Sequence, residues 1–260
     1  METLIVERDG GVATVTMNRP HRKNAATATM LRELRACFEE VEQRPEDRVL
    51  VLTGAGGDFC SGADLGDPDS PAPAGGVPAV VSMRRLGDVA LALHRLTKPT
   101  IARVDGVAVG AGLSLALGCD LVVASDRARL SMIFSRRALA LDAGASWLLP
   151  RLVGMARAKE VALFGDLLDA ERALALGLVN RVVPAGQLAA FVDGWARSLA
   201  NGPTLALSLT KTLLNNSWSS SLGEAVEDEA RCQAVNFTSA DTAEALAAFG
   251  QKREPRFIGR

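Results

Sequence analysis

The chain has 260 residues, a formal net charge of −1 and 48% hydrophobic residues. That length suits one large domain, or one domain with an appendage, and supplies enough apolar material for a sizeable core. The near-neutral charge gives no electrostatic case for nucleic acid, and no uninterrupted apolar run reaches membrane-spanning length.

Residues 3–8 and 12–17 flank Asp9-Gly10-Gly11, which predicts a β-hairpin at the start of the chain rather than a signal peptide. Asn18-Arg19-Pro20 closes the second strand. Met30, Leu31, Leu34, Phe38 and Val41 follow helical spacing and predict an amphipathic helix ending before Pro45. Residues 49–52 form a short buried strand that runs into the tight turn 53–57. Residues 66–79, rich in Pro, Gly and Asp, are expected to be a mobile loop. The pattern is helical over 80–97 and stops at Lys98-Pro99. A strand at 100–104, a glycine turn, a helix at 112–118 and a strand at 121–124 follow. This alternation predicts an α/β class. From about residue 185 the pattern is helical throughout. The expected division is therefore an α/β core over 1–195 and a helical region over 196–260. The small and apolar residues of that region suit either subunit contacts or packing on the chain's own core.

Several chemistries find no support. Cys37, Cys60, Cys119 and Cys232 are scattered, so neither disulfide staples nor a zinc site is expected, and a reducing, cytoplasmic setting is the default. The chain has no tyrosine. Its two histidines, His21 and His94, lack metal-ligand spacing and are expected to be structural or solvated. No metal site and no Ser–His–Asp enzyme are indicated.

The most informative stretch is Val104–Gly112, where Gly106, Gly110 and Gly112 link a strand to an apolar helix. Glycine there permits positive φ and close backbone approach. The helix start presents unpaired N–H groups that suit an anion or a polarised carbonyl oxygen. A second turn, Asp58–Leu65, also follows an apolar strand. If the two strands are parallel neighbours, both turns emerge at one sheet edge, where two N–H groups can converge on one oxygen. Gly110-x-Gly112 followed by Asp126 partly imitates a dinucleotide fingerprint. Leu115 occupies its third glycine position and Asp126 comes early, which argues against that reading.

Four segments and the C-terminus carry a family resemblance. N-R-P-H-R-K-N-A at 18–25, L-T-G-A-G-G-D-F-C-S-G-A-D-L at 52–65, V-D-G-V-A-V-G-A-G-L-S-L-A-L-G-C-D-L at 104–121 and L-D-A-E-R-A-L-A-L-G-L-V-N-R-V-V at 168–183 resemble the crotonase (enoyl-CoA hydratase/isomerase) superfamily. Phe249-x-x-Lys252-Arg253-x-Pro255-x-Phe257 fits as well. The likeness keeps its order over nearly the whole chain. It implies a spiral of ββα repeats with a C-terminal helical trimerisation region, in a homotrimer or dimer of trimers. It also implies an acyl-CoA thioester as partner, with coenzyme A part of the substrate rather than a separate cofactor. The resemblance places two enolate-holding backbone N–H groups at Ala63 and Ala111. It puts Arg22 and Lys23 where the chain approaches coenzyme A. Lys252 resembles a basic residue that reaches the CoA phosphates from a neighbouring subunit. For these three the alternative is a solvated surface charge. Asp64 and Leu65 lie beside the expected site, Asp64 chiefly as support for its turn. Residues 66–97 are expected to border the acyl pocket.

The sequence departs from the family's hydratase pattern at the two glutamate positions. Ser114 stands at the first and Phe134 at the second. Adding water across a double bond needs a base for the water and an acid for the α-carbon, and neither residue supplies one. Asp142 stands alone in an apolar segment, at a place similar to the catalytic carboxylate of the superfamily's isomerases. The competing role is to cap the helix that starts near Ala143. An apolar wall from Phe134 and Trp147 would raise its pKa. The leading expectation is an acyl-CoA isomerase that moves a double bond with Asp142 as acid and base. The alternatives are an enoyl-CoA hydratase with atypical acid–base groups and a catalytically silent acyl-CoA-binding protein.

Overall fold

A computed structural model describes residues 1–70 and 79–260. The expected hairpin is β1 (Leu4–Asp9) and β2 (Val12–Met17), followed by α1 (Ala28–Gln43), β3 (Val49–Gly54) and α2 (Ala79–Arg95). Next come β4 (Thr100–Val104), β5 (Val107–Val109), α3 (Ala111–Leu117), β6 (Leu121–Ser125) and β7 (Arg129–Ser131). Then follow α4 (Ala145–Val153), α5 (Met155–Phe164), β8 (Leu168–Asp169), α6 (Ala170–Leu176), β9 (Arg181–Val183) and α7 (Leu188–Ala200). Helices α8 (Thr204–Asn216), α9 (Leu222–Asn236) and α10 (Ala240–Gln251) complete the order.

The main sheet runs β1-β2-β3-β4-β6-β9, parallel throughout except for β1 at its edge. A small sheet, β5-β7-β8, stands beside it. Pleating sends alternate side chains of the central strands to opposite faces. Leu50, Leu52, Ala102, Val104, Val122 and Ala124 pack into the larger core beneath α1, α2 and α3. Val49, Val51, Ile101 and Val123 pack on the other face against Leu188, Val192, Ala196 and Ala200 of α7. Burial on both faces explains the continuous apolar run in β3.

Two expectations need correction. A boundary between residues 195 and 196 cuts through α7, the helix that covers one face of the sheet, so the α/β body extends at least to Ala200. Periodicity identifies α7 as amphipathic but does not say which body its apolar stripe covers. The helices beyond it bury few large side chains and leave Leu214, Trp218, Leu222, Phe237, Leu246 and Phe249 exposed. The expected mobile loop 66–79 is the second case. Residues 71–78 lie outside the described part, but 66–70 is held firmly. Asp67 pairs with Arg19 at 2.7 Å, and Asp69 accepts from the Thr29 amide at 2.8 Å, at the first turn of α1.

The two sheets meet where the segment after β3 docks on β5. The Cys60 N–H donates to the Val107 carbonyl and the Val109 N–H donates to the Cys60 carbonyl, both at 2.9 Å. This ladder requires α3 to start almost in contact with Cys60. A Cβ on Gly112 would overlap the Cys60 carbonyl oxygen and stand 2.8 Å from the Cys60 Cβ. Gly112→Ala is therefore expected to destabilise the protein by about 2 kcal/mol or more, through overpacking against an immobile backbone. Gly223→Ala, where the added Cβ meets open space, should change stability by less than about 1 kcal/mol. Urea unfolding of both variants against the parent measures the contrast.

Candidate active site

The clasp brings the two glycine-bearing turns to one place. Gly62 adopts φ +96, and a Cβ there would lie 3.0 Å from the Val109 carbonyl oxygen and 3.8 Å from the Ala111 nitrogen. Ala63 forms a parallel bridge with Ala26, made by Ala26 N–H to Gly62 O (2.8 Å) and Asp64 N–H to Ala26 O (2.9 Å). In such a bridge the flanking residues supply the bonds, so Ala63's own N–H points away from Ala26. Ala111 opens α3, and its N–H has no acceptor within the helix. Gly110, at φ +55, turns the chain into that helix. One clasp thus brings the turn that carries Ala63 against the start of α3.

The 18–25 motif buttresses the first turn. Asn24 is fully buried at φ +55 and donates to the carbonyls of Ala55 (2.8 Å) and Asp58 (2.7 Å), while accepting from the Arg19 amide. The Ser61 amide donates to the Lys23 carbonyl at 3.0 Å, and the Ser61 hydroxyl to the Arg22 carbonyl at 3.2 Å. Arg22 and Lys23 are exposed beside this turn, and Lys23 Nζ stands 3.5 Å from Asp58. Asp64 is buried, and its carboxylate is occupied by Arg19 at 3.0 Å and the Gly66 amide at 3.3 Å. Both of its oxygens are engaged in holding the turn, the supporting role expected of it. Leu65 is exposed next to it. Lys252 is exposed at the end of α10, in the left-handed conformation.

At the second turn Ser114 is buried, and its hydroxyl donates to the Gly110 carbonyl at 3.2 Å within its own helix. Phe134 is also buried, and its ring edge comes within about 4 Å of where a Cβ on Gly110 would stand. The two positions therefore present a satisfied hydroxyl and an apolar ring.

Asp142 lies between residues 133–137, a short 3-10 turn, and α4. The capping role does not hold: α4 is preceded by Gly144, with no side-chain cap, and only the Asp142 backbone carbonyl accepts, from the Ala145 amide at 3.0 Å. Ala143 follows at φ +49, a conformation rare for alanine. Asp142 Oδ1 is buried with no hydrogen-bond partner among the described residues. Burial pushes this carboxyl up from 3.8 to about 6. Trp147 is an exposed residue of α4. Its ring meets His94 edge-on at 5.2 Å and lies under the Arg151 guanidinium at 3.9 Å, lining a groove shared with Lys211 and Trp218. These are the ring contacts that Trp147 makes from the first turn of α4. His21 is exposed, and among the described residues no cluster of His, Cys, Asp or Glu could hold a metal ion. No helix among them is long and apolar enough to cross a membrane.

The α/β chain thus clasps two glycine-bearing turns together and leaves one carboxyl oxygen, Asp142 Oδ1, buried without a partner among the described residues. The family model for enoyl-CoA hydratase/isomerase matches residues 7–260. The chain is 40% identical over its full length, and that of its relative, to 1,2-epoxyphenylacetyl-CoA isomerase of Escherichia coli. It is 39% identical to a probable enoyl-CoA hydratase of Rhodobacter capsulatus, covering 99% of this chain and 98% of that one. The crystal structure of an enoyl-CoA hydratase from Bacillus anthracis superposes with a TM-score of 0.93 at 29% identity, over 99% of this chain and all of that one. The protein belongs to the enoyl-CoA hydratase/isomerase family and has the crotonase fold.

The raised Asp142 carboxyl has a consequence for stability. The folded state holds this proton more tightly than the unfolded chain, so stability is greatest below the unfolded value and falls as pH rises through about 6. Asp142→Asn is expected to gain roughly 1 kcal/mol at neutral pH, after allowing for the solvent that still reaches the group. The gain should vanish below about pH 4. Urea midpoints of parent and variant at both pH values test the sign.

Proposed function

We propose that the protein is an acyl-CoA isomerase that moves a double bond from the 3,4 to the 2,3 position through an enolate. The reading rests on Asp142: a half-buried carboxyl with one buried, unpartnered oxygen and a pKa raised to about 6 is tuned to exchange a proton near neutral pH. The thioester oxygen would sit on the Ala63 and Ala111 N–H groups. The ionised Asp142 removes a proton from C2, and the C–H electrons pass through the new C2=C1 linkage to the oxygen. The resulting dienolate is held by the two amides, each worth on the order of 3 kcal/mol of barrier. The C3=C4 bond then takes the same proton back at C4, the oxygen's electrons return, and a 2,3 double bond remains. One carboxyl suffices, and coenzyme A arrives with the substrate, so the scheme calls for no separate cofactor.

Hydration fits these residues poorly, because Ser114 is satisfied within its helix and Phe134 has no acid or base. The 40% identical relative named as an isomerase of an epoxide thioester supports the same preference. Arg22, Lys23 and Lys252 are assigned to the CoA moiety. The apolar side chains left open on α8–α10 are assigned to contacts among copies in a homotrimer or dimer of trimers.

With 3-enoyl-CoA, Asp142→Asn should lower double-bond migration by 100-fold or more, on the order expected for loss of a general base. In the parent, kcat/KM should fall tenfold per pH unit below about 6, as the base protonates. Water addition to 2-enoyl-CoA that persists unchanged in the variant would favour the hydratase reading. Binding without turnover of enoyl or ring-epoxide thioesters would favour a silent acyl-CoA-binding protein. Light scattering should give the mass of three or six chains; a monomer would refute the assembly.

A further inference from the structure

The Arg19 guanidinium holds both sides of the bridge that carries Ala63. Nη1 donates to the Ala25 carbonyl at 2.6 Å and to Asp64 Oδ2 at 3.0 Å. Nη2 donates to Asp67 Oδ2 at 2.7 Å. Its backbone also closes the turn bearing Arg22 and Lys23, through bonds from the Arg22 and Asn24 amides to the Arg19 carbonyl, both at 2.9 Å. Only 11% of the Arg19 side chain is exposed, so these contacts operate with little competition from water. We propose that Arg19 is a positioning residue: its Nη1 arm sets the direction of the Ala63 N–H, and its Nη2 arm sets where residues 66–70 stand relative to the acyl chain.

The geometry gives each arm a separate consequence. Ala25 precedes Ala26, and Asp64 follows Ala63, so the Nη1 arm locks the one bridge that orients the Ala63 amide. Rotation of that bridge would turn the amide away from the oxygen without altering Ala111. Asp67 leads to Asp69, which is fixed to the start of α1 through the Thr29 amide. Releasing the Nη2 arm would loosen that segment and leave the bridge in place. A lysine offers a compact ammonium on a flexible stem and cannot reproduce the planar fork that reaches three acceptors.

The inference rests on the assignment of Ala63 and Ala111 to the thioester oxygen, and its test does not require turnover. A dimethylaminocinnamoyl-CoA probe absorbs at longer wavelength when its thioester carbonyl is polarised. Arg19→Lys and Asp64→Asn should lose most of the red shift seen with the parent. Their kcat on 3-enoyl-CoA should drop on the order of 10- to 100-fold, as expected for a misdirected group, with a much smaller change in KM. Asp67→Asn should keep the red shift and alter the ratio of kcat/KM between short and long acyl chains. Arg8→Lys, which disturbs an ion pair with Asp47 and Glu40, serves as a control and should keep both properties. If Arg19→Lys does not fold, Asp64→Asn carries the test. A full red shift in folded Asp64→Asn or Arg19→Lys overturns the proposal. An absent red shift in the parent removes the oxyanion assignment and this proposal with it, whereas a red shift without double-bond migration removes only the isomerase assignment.

Discussion

The site depends on two backbone hydrogen bonds, those joining Cys60 to Val107 and Val109. Buried peptide groups must find partners, so the segment after β3 can lie against β5 only in this register. Close approach follows from the absence of a side chain at Gly112, where even one carbon would strike Cys60. With that contact made, Gly62 comes against the start of α3 and the Ala63 and Ala111 amides share a locality. Asn24 adds a second tie from the 18–25 segment, binding the turn that follows β3 by two carbonyls.

The proposed scheme joins two opposite electrostatic environments. The amides offer fixed partial positive charge at the end of α3, arranged before any ligand arrives. Asp142 stands where burial disfavours its ionised form. The Arg19–Asp64 pair shows the other use of a carboxylate. There the carboxylate is occupied and serves as structure; at Asp142 an oxygen is left without a partner. The backbone after Asp142 enters the left-handed region at Ala143, a cost of the kind associated with functional segments.

Much of this was legible in the sequence. The hairpin glycines, the apolar runs at 49–52 and 100–104, and the spacing in 30–41 lead directly to β1–β4 and α1, since each is a local pattern. The two turns were readable because glycine marks unusual backbone. What escaped was long-range. Arg19 and Asn24 sit in a motif whose other charged members, Arg22 and Lys23, are exposed, and nothing local reveals that Arg19 reaches across to Asp64 and Asp67. Asp67 and Asp69 fall in the stretch expected to be a mobile loop, but contacts with Arg19 and the Thr29 amide tie them to the body of the chain. Nor does any local pattern announce the edge-on contact of the Trp147 ring with His94, which comes from a different helix. The boundary at 195 failed for a related reason, because an amphipathic stripe does not name its partner.

The grip proposed for the substrate oxygen is made of main chain. Every residue except proline has an amide hydrogen, so substitutions at Ala63 and Ala111 leave the donors in place so long as the clasp survives. In the proposed scheme, side-chain changes at Ser114, Phe134 or Asp142 would alter which protons can move, not what holds the oxygen. Changes of reaction and changes of anchorage therefore fall on separate sets of positions. A scaffold with that separation can exchange one chemistry for another through a few side-chain replacements while inheriting its electrophile-binding frame intact.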